Sequence, residues 1–196
     1  MPKLIQICGI NGTGKTTLMR RIISDQRDIR KVQIEACGKG YEAFTNGSVC
    51  VLGRYGACAC AGIDGYIRDK DELKALINNA LKLKTAPVIL FESVIYGLTF
   101  RFRKGVADAS RENGYEYQAV QLIAPVEMLE QRIYERNGGK RVNMEMIYTK
   151  QKNMVNGGKH LRQTGEKVLT IDTSNRSPDE VSEIVKAIMG ASNDQS

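Results

Sequence analysis

The sequence predicts an α/β fold in which one parallel sheet is covered by helices on both faces. Short apolar runs rich in β-branched residues recur along the chain and alternate with longer segments of helical periodicity. The 196 residues, 42% hydrophobic and 26% charged, have the balance of one ordinary globular domain. No segment rich in proline, glycine or serine divides the chain. We therefore expect a single domain over residues 1–196.

Six strands and six helices are predicted. The strand-length runs are Leu4–Cys8, Val32–Cys37, Cys50–Leu52, Val88–Phe91, Tyr117–Ile123 and Val168–Ile171. The segments of helical periodicity are Lys15–Ser24, Lys70–Leu83, Leu98–Asn113, Val126–Arg136, Met144–Val155 and Pro178–Met189. Asp69 followed by Glu72 is typical of a helix N-cap, and so is Ser177 before Pro178.

Composition excludes several classes of protein. The longest apolar runs are far shorter than the roughly 20 residues that cross a bilayer. The N-terminus leads directly into a predicted strand without an apolar signal region. Five cysteines with one distant histidine favour reduced thiols over a disulfide framework or a tetrahedral metal site. We expect a cytoplasmic protein without a membrane partner.

The charge is concentrated in one segment. The chain carries 29 Lys+Arg and 22 Asp+Glu, a formal charge of +7. Residues 136–162 hold seven basic residues against Glu145 alone, which gives that segment +6. The tetrapeptide Asn-Gly-Gly-Lys begins at both Asn137 and Asn156, and both copies are good turn formers. We interpret residues 136–162 as a mobile helical lid, hinged at both copies, that closes over phosphates; a solvated helix face is the alternative.

The strongest motif lies between the first predicted strand and the first predicted helix. It has the form Gly-x-x-x-x-Gly-Lys-Thr, the Walker A phosphate-binding loop. Backbone N–H groups and the N-terminus of the following helix bind phosphate oxygens in such a loop. We expect Lys15 to reach the β- and γ-phosphates of a bound nucleotide, adenine or guanine, and Thr16 to hold Mg²⁺. The predicted nucleotide-binding residues are Gly9, Asn11, Gly12, Thr13, Gly14, Lys15, Thr16 and Thr17.

A carboxylate ends the fourth predicted strand. The apolar run that begins at Pro87 finishes at Glu92. Because the C-terminal ends of parallel strands surround the ligand crevice, we expect Glu92 to lie near Thr16 in the Walker B role. It would hold Mg²⁺ or accept a proton from the attacking group, and the spacing leaves both roles open. A solvent-exposed carboxylate is the alternative.

Two arginines lie four residues apart on one predicted helical face, just before the first hinge. Arg132 and Arg136 are predicted to stabilise the charge of the migrating phosphoryl group. Closure of a lid over that group would exclude water. A structural role, with pairing to Glu130 and Glu135, is the alternative.

The acceptor site is expected between the ends of the second and fourth predicted strands. Glu35 and Asp64 are the candidates for a general base toward a hydroxyl acceptor. Tyr55 and Tyr66 would stack on a nucleobase or simply anchor their loops. Three further cations would meet a phosphate backbone: Arg54, Arg101 and Arg103.

The phosphate loop, the Glu92 strand and the Arg132/Arg136 segment together resemble the small P-loop kinases of the nucleoside and nucleotide kinase group. The resemblance implies a P-loop NTPase fold with a five-stranded parallel sheet of order 2-3-1-4-5, ATP and Mg²⁺ as ligands, and transfer of one phosphoryl group. No Asp-Arg-Tyr or Asp-Gly-x-Pro-Arg pattern follows the fourth strand, which disfavours a simple nucleoside monophosphate acceptor.

Short loop motifs, Val51–Tyr55, Cys60–Asp64 and Phe91–Ser93, resemble bacteriophage P-loop kinases of DNA hypermodification. That resemblance implies phosphorylation of the hydroxymethyl group of 5-hydroxymethyluracil within DNA, in the host cytoplasm, with the target base flipped from the stack. The basic segment agrees with a DNA partner. The alternatives are a kinase for free nucleosides or nucleoside monophosphates and an ATP-gated nucleic-acid-binding regulator. The sequence leaves the oligomeric state open.

Overall fold

The computed structural model describes residues 1–56, 62–63, 67, 69–94, 96–140 and 142–190. The strands are β1 (Lys3–Gly9), β2 (Arg30–Ala36), β3 (Lys39–Thr45), β4 (Val49–Leu52), β5 (Val88–Ser93), β6 (Glu116–Ile123) and β7 (Lys167–Asp172). The helices are α1 (Lys15–Asp25), α2 (Lys70–Lys82), α3 (Phe100–Glu112), α4 (Val126–Arg136), α5 (Met144–Gln163) and α6 (Pro178–Gly190). A short 3-10 helix, Tyr96–Leu98, precedes α3.

The described strands form one mixed sheet of seven strands in the order β2-β3-β4-β5-β1-β6-β7. The prediction of a five-stranded, wholly parallel sheet is therefore wrong for the sheet as a whole, and the predicted order 2-3-1-4-5 holds only for its five parallel strands, numbered among themselves. Residues 30–52 form an antiparallel meander, β2-β3-β4, which adds β2 and β3 to one edge. The strands β4, β5, β1, β6 and β7 run parallel to one another. The α/β class with a sheet covered by helices is confirmed.

Two apolar clusters cover the two faces of the sheet. On one face α1 and α6 pack against the central strands through Leu18, Ile22 and Val185. On the other face α2 and α3 contribute Leu76 and Val106, among others. Every residue of β1 is buried, because this strand lies between two neighbours and under helices on both sides. The buried centre gives the loop that follows β1 a rigid base.

The turn between β2 and β3 explains the missed strand. Cys37 and Gly38 have φ of 49° and 71°, so two residues in the left-handed region reverse the chain. Two consecutive positive φ values are typical of the tight turns that connect antiparallel strands. The sequence at this turn lacks the Asn-Gly or Asp-Gly signal. The hairpin places β2 at the free edge, three strands away from β5.

The second Asn-Gly-Gly-Lys copy lies inside α5, which runs without a break from Met144 to Gln163. Gly157 and Gly158 are buried, and a Cβ at Gly158 would lie 2.5 Å from Nε2 of Gln121 on β6. The glycines therefore let the helix approach the sheet closely. The hinge interpretation of this copy is wrong. The first copy does form a turn, with Gly138 and Gly139 at φ of 63° and 84°.

Arg103 is fully buried on the inner face of α3. Its Nη1 donates to the Met154 carbonyl at 3.4 Å, and Tyr117 is a further hydrogen-bond partner. The prediction that this cation meets a phosphate backbone is wrong, because the helical period turns it into the core. None of the helices in the described ranges is long and apolar enough to cross a bilayer.

Candidate active site

The loop between β1 and α1 has the backbone of a phosphate cradle. Gly12 and Gly14 have φ of 84° and 88°, a region that costs glycine little. The buried Thr13 hydroxyl donates to the Ile10 carbonyl at 2.8 Å and closes the loop on itself. Helix α1 begins at Lys15 with no side-chain cap, so its first N–H groups face the loop. Such an N-terminus favours anions.

Lys15 is held within the loop. Its side chain is buried, and Nζ donates to the Ile10 carbonyl at 3.1 Å. An ammonium group at the centre of a ring of inward N–H groups adds a full charge to their dipoles. The arrangement is suited to a polyphosphate chain that lies along the loop.

Thr16 and Glu92 meet across the top of the sheet. The Thr16 hydroxyl lies 3.0 Å from Oε1 and 3.3 Å from Oε2 of Glu92, whose side chain is 3% exposed. Glu92 reaches this point because β5 pairs in parallel with β1, with Ile7 opposite Glu92. The expectation of an exposed strand-end carboxylate is wrong. A hydroxyl and a carboxylate are the oxygen ligands that Mg²⁺ prefers, so these two residues fit the metal site expected of them.

Gly62 packs directly against the Glu92 carboxylate. It has φ of 85°, and a Cβ there would lie 2.6 Å from Oε1. Its N–H donates to the Arg54 carbonyl at 2.7 Å, which joins this strip of backbone to the loop after β4. The carboxylate therefore sits between the Thr16 hydroxyl and a backbone strip that only glycine can form. This fixes its orientation.

Arg132 bridges two loops at the C-terminal ends of the strands. Its Nη1 donates to the Gly12 carbonyl at 3.3 Å, and its Nη2 donates to the Thr173 carbonyl at 2.9 Å. Arg136, one turn later, lines the cavity from α4. Neither arginine forms an ion pair within the ranges that the structure describes, so the alternative of pairing with Glu130 and Glu135 is wrong. Both cations are directed to the loop side of the helix.

These groups line one cavity of about 1280 Å³. It brings together the charged and hydroxyl residues predicted for phosphoryl transfer: Lys15, Thr16, Glu92, Arg132 and Arg136. It also contains every predicted loop residue from Asn11 to Thr17, whereas Gly9 ends β1 beneath it. A volume of this size exceeds the roughly 300–1,000 Å³ of a typical small-molecule pocket.

Glu35 does not reach the cavity. It lies on the exposed edge strand β2, and its carbonyl accepts from Asn79 Nδ2 at 2.7 Å. The prediction of Glu35 as a general base relied on the second strand being a neighbour of the fourth, and the hairpin removes that neighbourhood. Asp64 and Tyr66, the other predictions for the acceptor region, lie outside the described residues.

Tyr55 lines the cavity as a buried loop anchor. Its hydroxyl donates to the Leu52 carbonyl at 3.3 Å, and its ring meets Phe44 edge to face at 6.2 Å. Arg20, four residues after Thr16 on α1, donates from Nη2 to the Gly56 carbonyl at 2.8 Å and from Nε to the Tyr55 carbonyl at 3.3 Å. The loop after β4 is thereby tied to the helix that follows the phosphate loop.

Sequence reasoning missed several residues of the cavity, namely Arg20, Asn137, Thr173 and Arg176. Thr173 follows β7 at the C-terminal edge of the sheet, and the rule for strand ends would have found it. The turn after β7 is held by Asp172, which accepts from the Ser174 N–H at 2.8 Å. That hydrogen bond keeps the pKa of Asp172 below its ordinary value, so the turn carries a stable negative charge beside Arg176.

Known proteins similar to this chain include one sequence relative and two solved structures. The sequence is 28% identical over 153 residues to the 5-hmdU DNA kinase of Pseudomonas phage M6, which covers 76% of this chain and 79% of that protein. The tunicamycin resistance protein of Deinococcus radiodurans has the same fold, with a TM-score of 0.55 and 17% identity over 97% of this chain and 96% of that one. The crystal structure of APE1195 gives a TM-score of 0.52 and 16% identity over the same shares.

No protein-family model matches the chain. The phage relative confirms the resemblance to 5-hydroxymethyluracil DNA kinases that the loop motifs indicated. The two structures confirm the α/β fold across nearly the whole chain. The shared fold of the two structures and the phage kinase relative both agree with a cavity formed around a phosphate-binding loop.

Proposed function

We propose that this protein is an ATP-dependent kinase that transfers the γ-phosphoryl group to a hydroxyl on a nucleic-acid base, 5-hydroxymethyluracil in phage DNA, in the host cytoplasm. The observation that carries the proposal is the Thr16–Glu92 contact, which joins the phosphate loop to a buried carboxylate in a cavity with two arginines. The phage relative, named as a DNA kinase, supports a phosphotransferase.

Each group of cavity residues has its own role in the proposed phosphoryl transfer. The loop N–H groups and Lys15 bind the phosphate chain of the donor, and Arg132 and Arg136 offset the charge on the migrating group. The acceptor hydroxyl oxygen forms a bond to the γ-phosphorus, the bond to the β,γ-bridging oxygen breaks, and ADP leaves. The acceptor proton passes to a carboxylate, Glu92 or Asp64. Held by Thr16 and Glu92, Mg²⁺ would neutralise phosphate charge.

The cavity limits the side reaction with water. Arg132 is held by the Gly12 and Thr173 carbonyls, so the α4 cation is preorganised over the phosphate loop without a large closing motion. Tyr55 and the Arg20 contacts keep the acceptor loop packed against α1. A packed acceptor side leaves less room for water beside the γ-phosphate and favours transfer over hydrolysis.

The proposal is tested by transfer of γ-labelled phosphate from ATP. Three acceptors are compared: duplex DNA with 5-hydroxymethyluracil, unmodified DNA, and a mixture of nucleosides and nucleoside monophosphates. We expect label in the modified DNA alone. Label in the small molecules would replace the proposal with a free nucleoside or nucleotide kinase. Phosphate release without any labelled acceptor would favour an ATP-gated regulator.

The role of Glu92 is tested with a matched carboxylate. Glu92→Gln is compared with Glu112→Gln, which changes an exposed carboxylate at the end of α3. A metal anchor predicts that Glu92→Gln, like Thr16→Val, raises the Mg²⁺ concentration needed for half-maximal rate. A general base predicts an altered pH–rate profile at saturating Mg²⁺. Wild-type kinetics in Glu92→Gln would remove this residue from the mechanism.

A further inference from the structure

The corner between α4 and α5 carries an unusual share of the exposed apolar surface. Five large hydrophobic side chains are exposed in the described ranges, and three of them lie here: Tyr134, Met146 and Tyr148, at 43%, 46% and 55%. The other two are Met1 and Leu83. Exposed aromatic rings that cluster mark a binding surface more often than rings scattered singly.

A buried contact joins the two helices beneath the corner. Ile133 of α4 and Ile147 of α5 belong to one apolar cluster with Ile10 of the phosphate loop. Tyr134 follows Ile133 directly, and Met146 and Tyr148 flank Ile147. The three exposed side chains are therefore carried by the helical turns that meet at this contact.

The turn between the two helices packs against the first ring. The Gly139 N–H donates to the Tyr134 carbonyl at 2.9 Å. A Cβ at Gly139 would lie 3.4 Å from the Tyr134 hydroxyl, so backbone and ring are in close contact. This contact restricts the motion of the Tyr134 ring. Binding a ligand therefore costs less side-chain conformational entropy at this residue.

The same corner carries two exposed lysines. Lys140 and Lys152 are exposed, and neither forms an ion pair with any described residue. Six lysines elsewhere do pair with carboxylates: Lys31, Lys39, Lys74, Lys104, Lys167 and Lys186. Tyr148 and Lys152 are four residues apart on α5 and so share a face. The nearby carboxylates are Glu135, which accepts from Gln131, and Glu145.

The corner adjoins the mouth of the candidate active site. Arg136 and Asn137, the residues that lead from α4 into the turn, line the cavity. A polymer that delivers a base into the cavity past Arg136 therefore meets the turn that carries Lys140 and packs on Tyr134. Aromatic rings interleaved with lysines suit a nucleic-acid strand, because rings stack on unstacked bases and lysines contact phosphates.

We propose that the α4–α5 corner surface, formed by Tyr134, Lys140, Met146, Tyr148 and Lys152, is the docking site for the DNA strand that carries the acceptor. Tyr134 and Tyr148 stack on bases next to the flipped nucleotide, and the two lysines hold the backbone. The proposal rests on the proposed DNA kinase function for the nature of the polymer. It assigns the DNA contact to residues outside the catalytic cavity.

The test measures DNA binding without ATP, by fluorescence anisotropy of a labelled single-stranded 20-mer over a salt series. We expect Tyr134→Ala with Tyr148→Ala to weaken binding at least about 30-fold, the lower end for the loss of two stacked bases. Lys140→Gln with Lys152→Gln should reduce the slope of log K against log salt by roughly 1.4, since each phosphate contact on single strands contributes about 0.7. The matched control, Lys82→Gln with Leu83→Ala, alters an exposed apolar residue and a lysine at the end of α2 and should bind as wild type.

Three outcomes would overturn the proposal. The first is unchanged affinity and salt slope in both corner variants. The second is no DNA binding by the wild type at low salt. The third is a wild-type dimer in sedimentation that the tyrosine variant converts to monomer without loss of DNA affinity, which would assign the corner to a second copy of the chain. Lys15→Ala distinguishes this proposal from the catalytic one. It should abolish phosphoryl transfer and leave the DNA affinity measured by anisotropy unchanged. If DNA binding depends on the corner residues but the transfer assay labels no DNA, DNA is not the kinase substrate, and the corner remains a DNA-docking surface.

Discussion

Replacement of Gly158 by alanine tests whether this residue lets α5 pack closely against the sheet or acts as a hinge. The new Cβ would lie 2.5 Å from Nε2 and 2.7 Å from Cδ of Gln121, closer than real Cβ contacts. Gln121 is fully buried and donates from Nε2 to the Met154 carbonyl at 2.6 Å, so its amide has no open space to enter. Either α5 moves off the sheet or that hydrogen bond breaks.

The cost can be worked out from these contacts. Overpacking costs about 1–3 kcal/mol and a disturbed buried hydrogen bond about 1 kcal/mol, while alanine in a helix regains about 1 kcal/mol over glycine. We expect the free energy of unfolding to fall by about 2 kcal/mol. For a chain of this size that lowers Tm by roughly 4–8 °C.

The assay is urea unfolding followed by circular dichroism, with kinase activity measured on the same preparations. Gly105→Ala is the matched control, because Gly105 is also inside a helix but the nearest atom to a new Cβ, Lys74 Cε, lies 4.0 Å away. It should stabilise by up to about 1 kcal/mol. A Gly158→Ala protein as stable as this control, with activity lost, would refute the packing argument and restore the hinge.

Three further predictions concern charge. Lys15→Ala should abolish phosphoryl transfer and leave the unfolding midpoint near that of the wild type, since its charge serves the ligand; transfer near the wild-type rate would defeat the assignment. Arg136→Ala should lower kcat by roughly 10² or more if it stabilises transition-state charge, whereas a change in KM alone would mark it as a uniform binder. The pKa of Asp25 is held below its ordinary value by Lys186, whose Nζ lies 2.5 Å from Oδ2 and joins α1 to α6. The stability from this pair is present above pH about 4 and is lost as the pH falls through the lowered pKa. Asp25→Asn should therefore narrow the stability difference between pH 7 and pH 3 in urea titrations, and an unchanged difference would exclude the pair as its source.

Local motifs were enough to predict which side chains meet in the cavity. The phosphate loop is contiguous, so one stretch of sequence with its flanking strand and helix was enough to predict it. Glu92 followed from the rule that parallel strands present their C-terminal ends to one crevice. Neither inference needed the position of a distant element.

The errors arose where a distant element decides the outcome. Glu35 was predicted from the expectation that the second predicted strand ends beside the acceptor site, and the β2-β3-β4 meander instead places β2 at the edge of the sheet. β3 itself contains Gly40 and Glu42, which weaken the strand pattern. Gly158 has the local preference of a turn, yet contact with Gln121 from β6 makes it helical. Tertiary packing outweighed local propensity at both sites.

Arg162, part of the basic segment, covers one edge of the sheet. Its Nε donates to the Val168 carbonyl at 3.2 Å and its Nη2 to the Thr170 hydroxyl at 3.0 Å, along the free edge of β7. A bare strand edge is a template on which another chain can add a strand. The hydrogen bonds of Arg162 cover part of the β7 edge. At the other end of the sheet, the charged side chains of Arg30 and Lys31 disfavour the addition of a strand to β2. A sheet protected against strand addition at both edges resists growth into fibres.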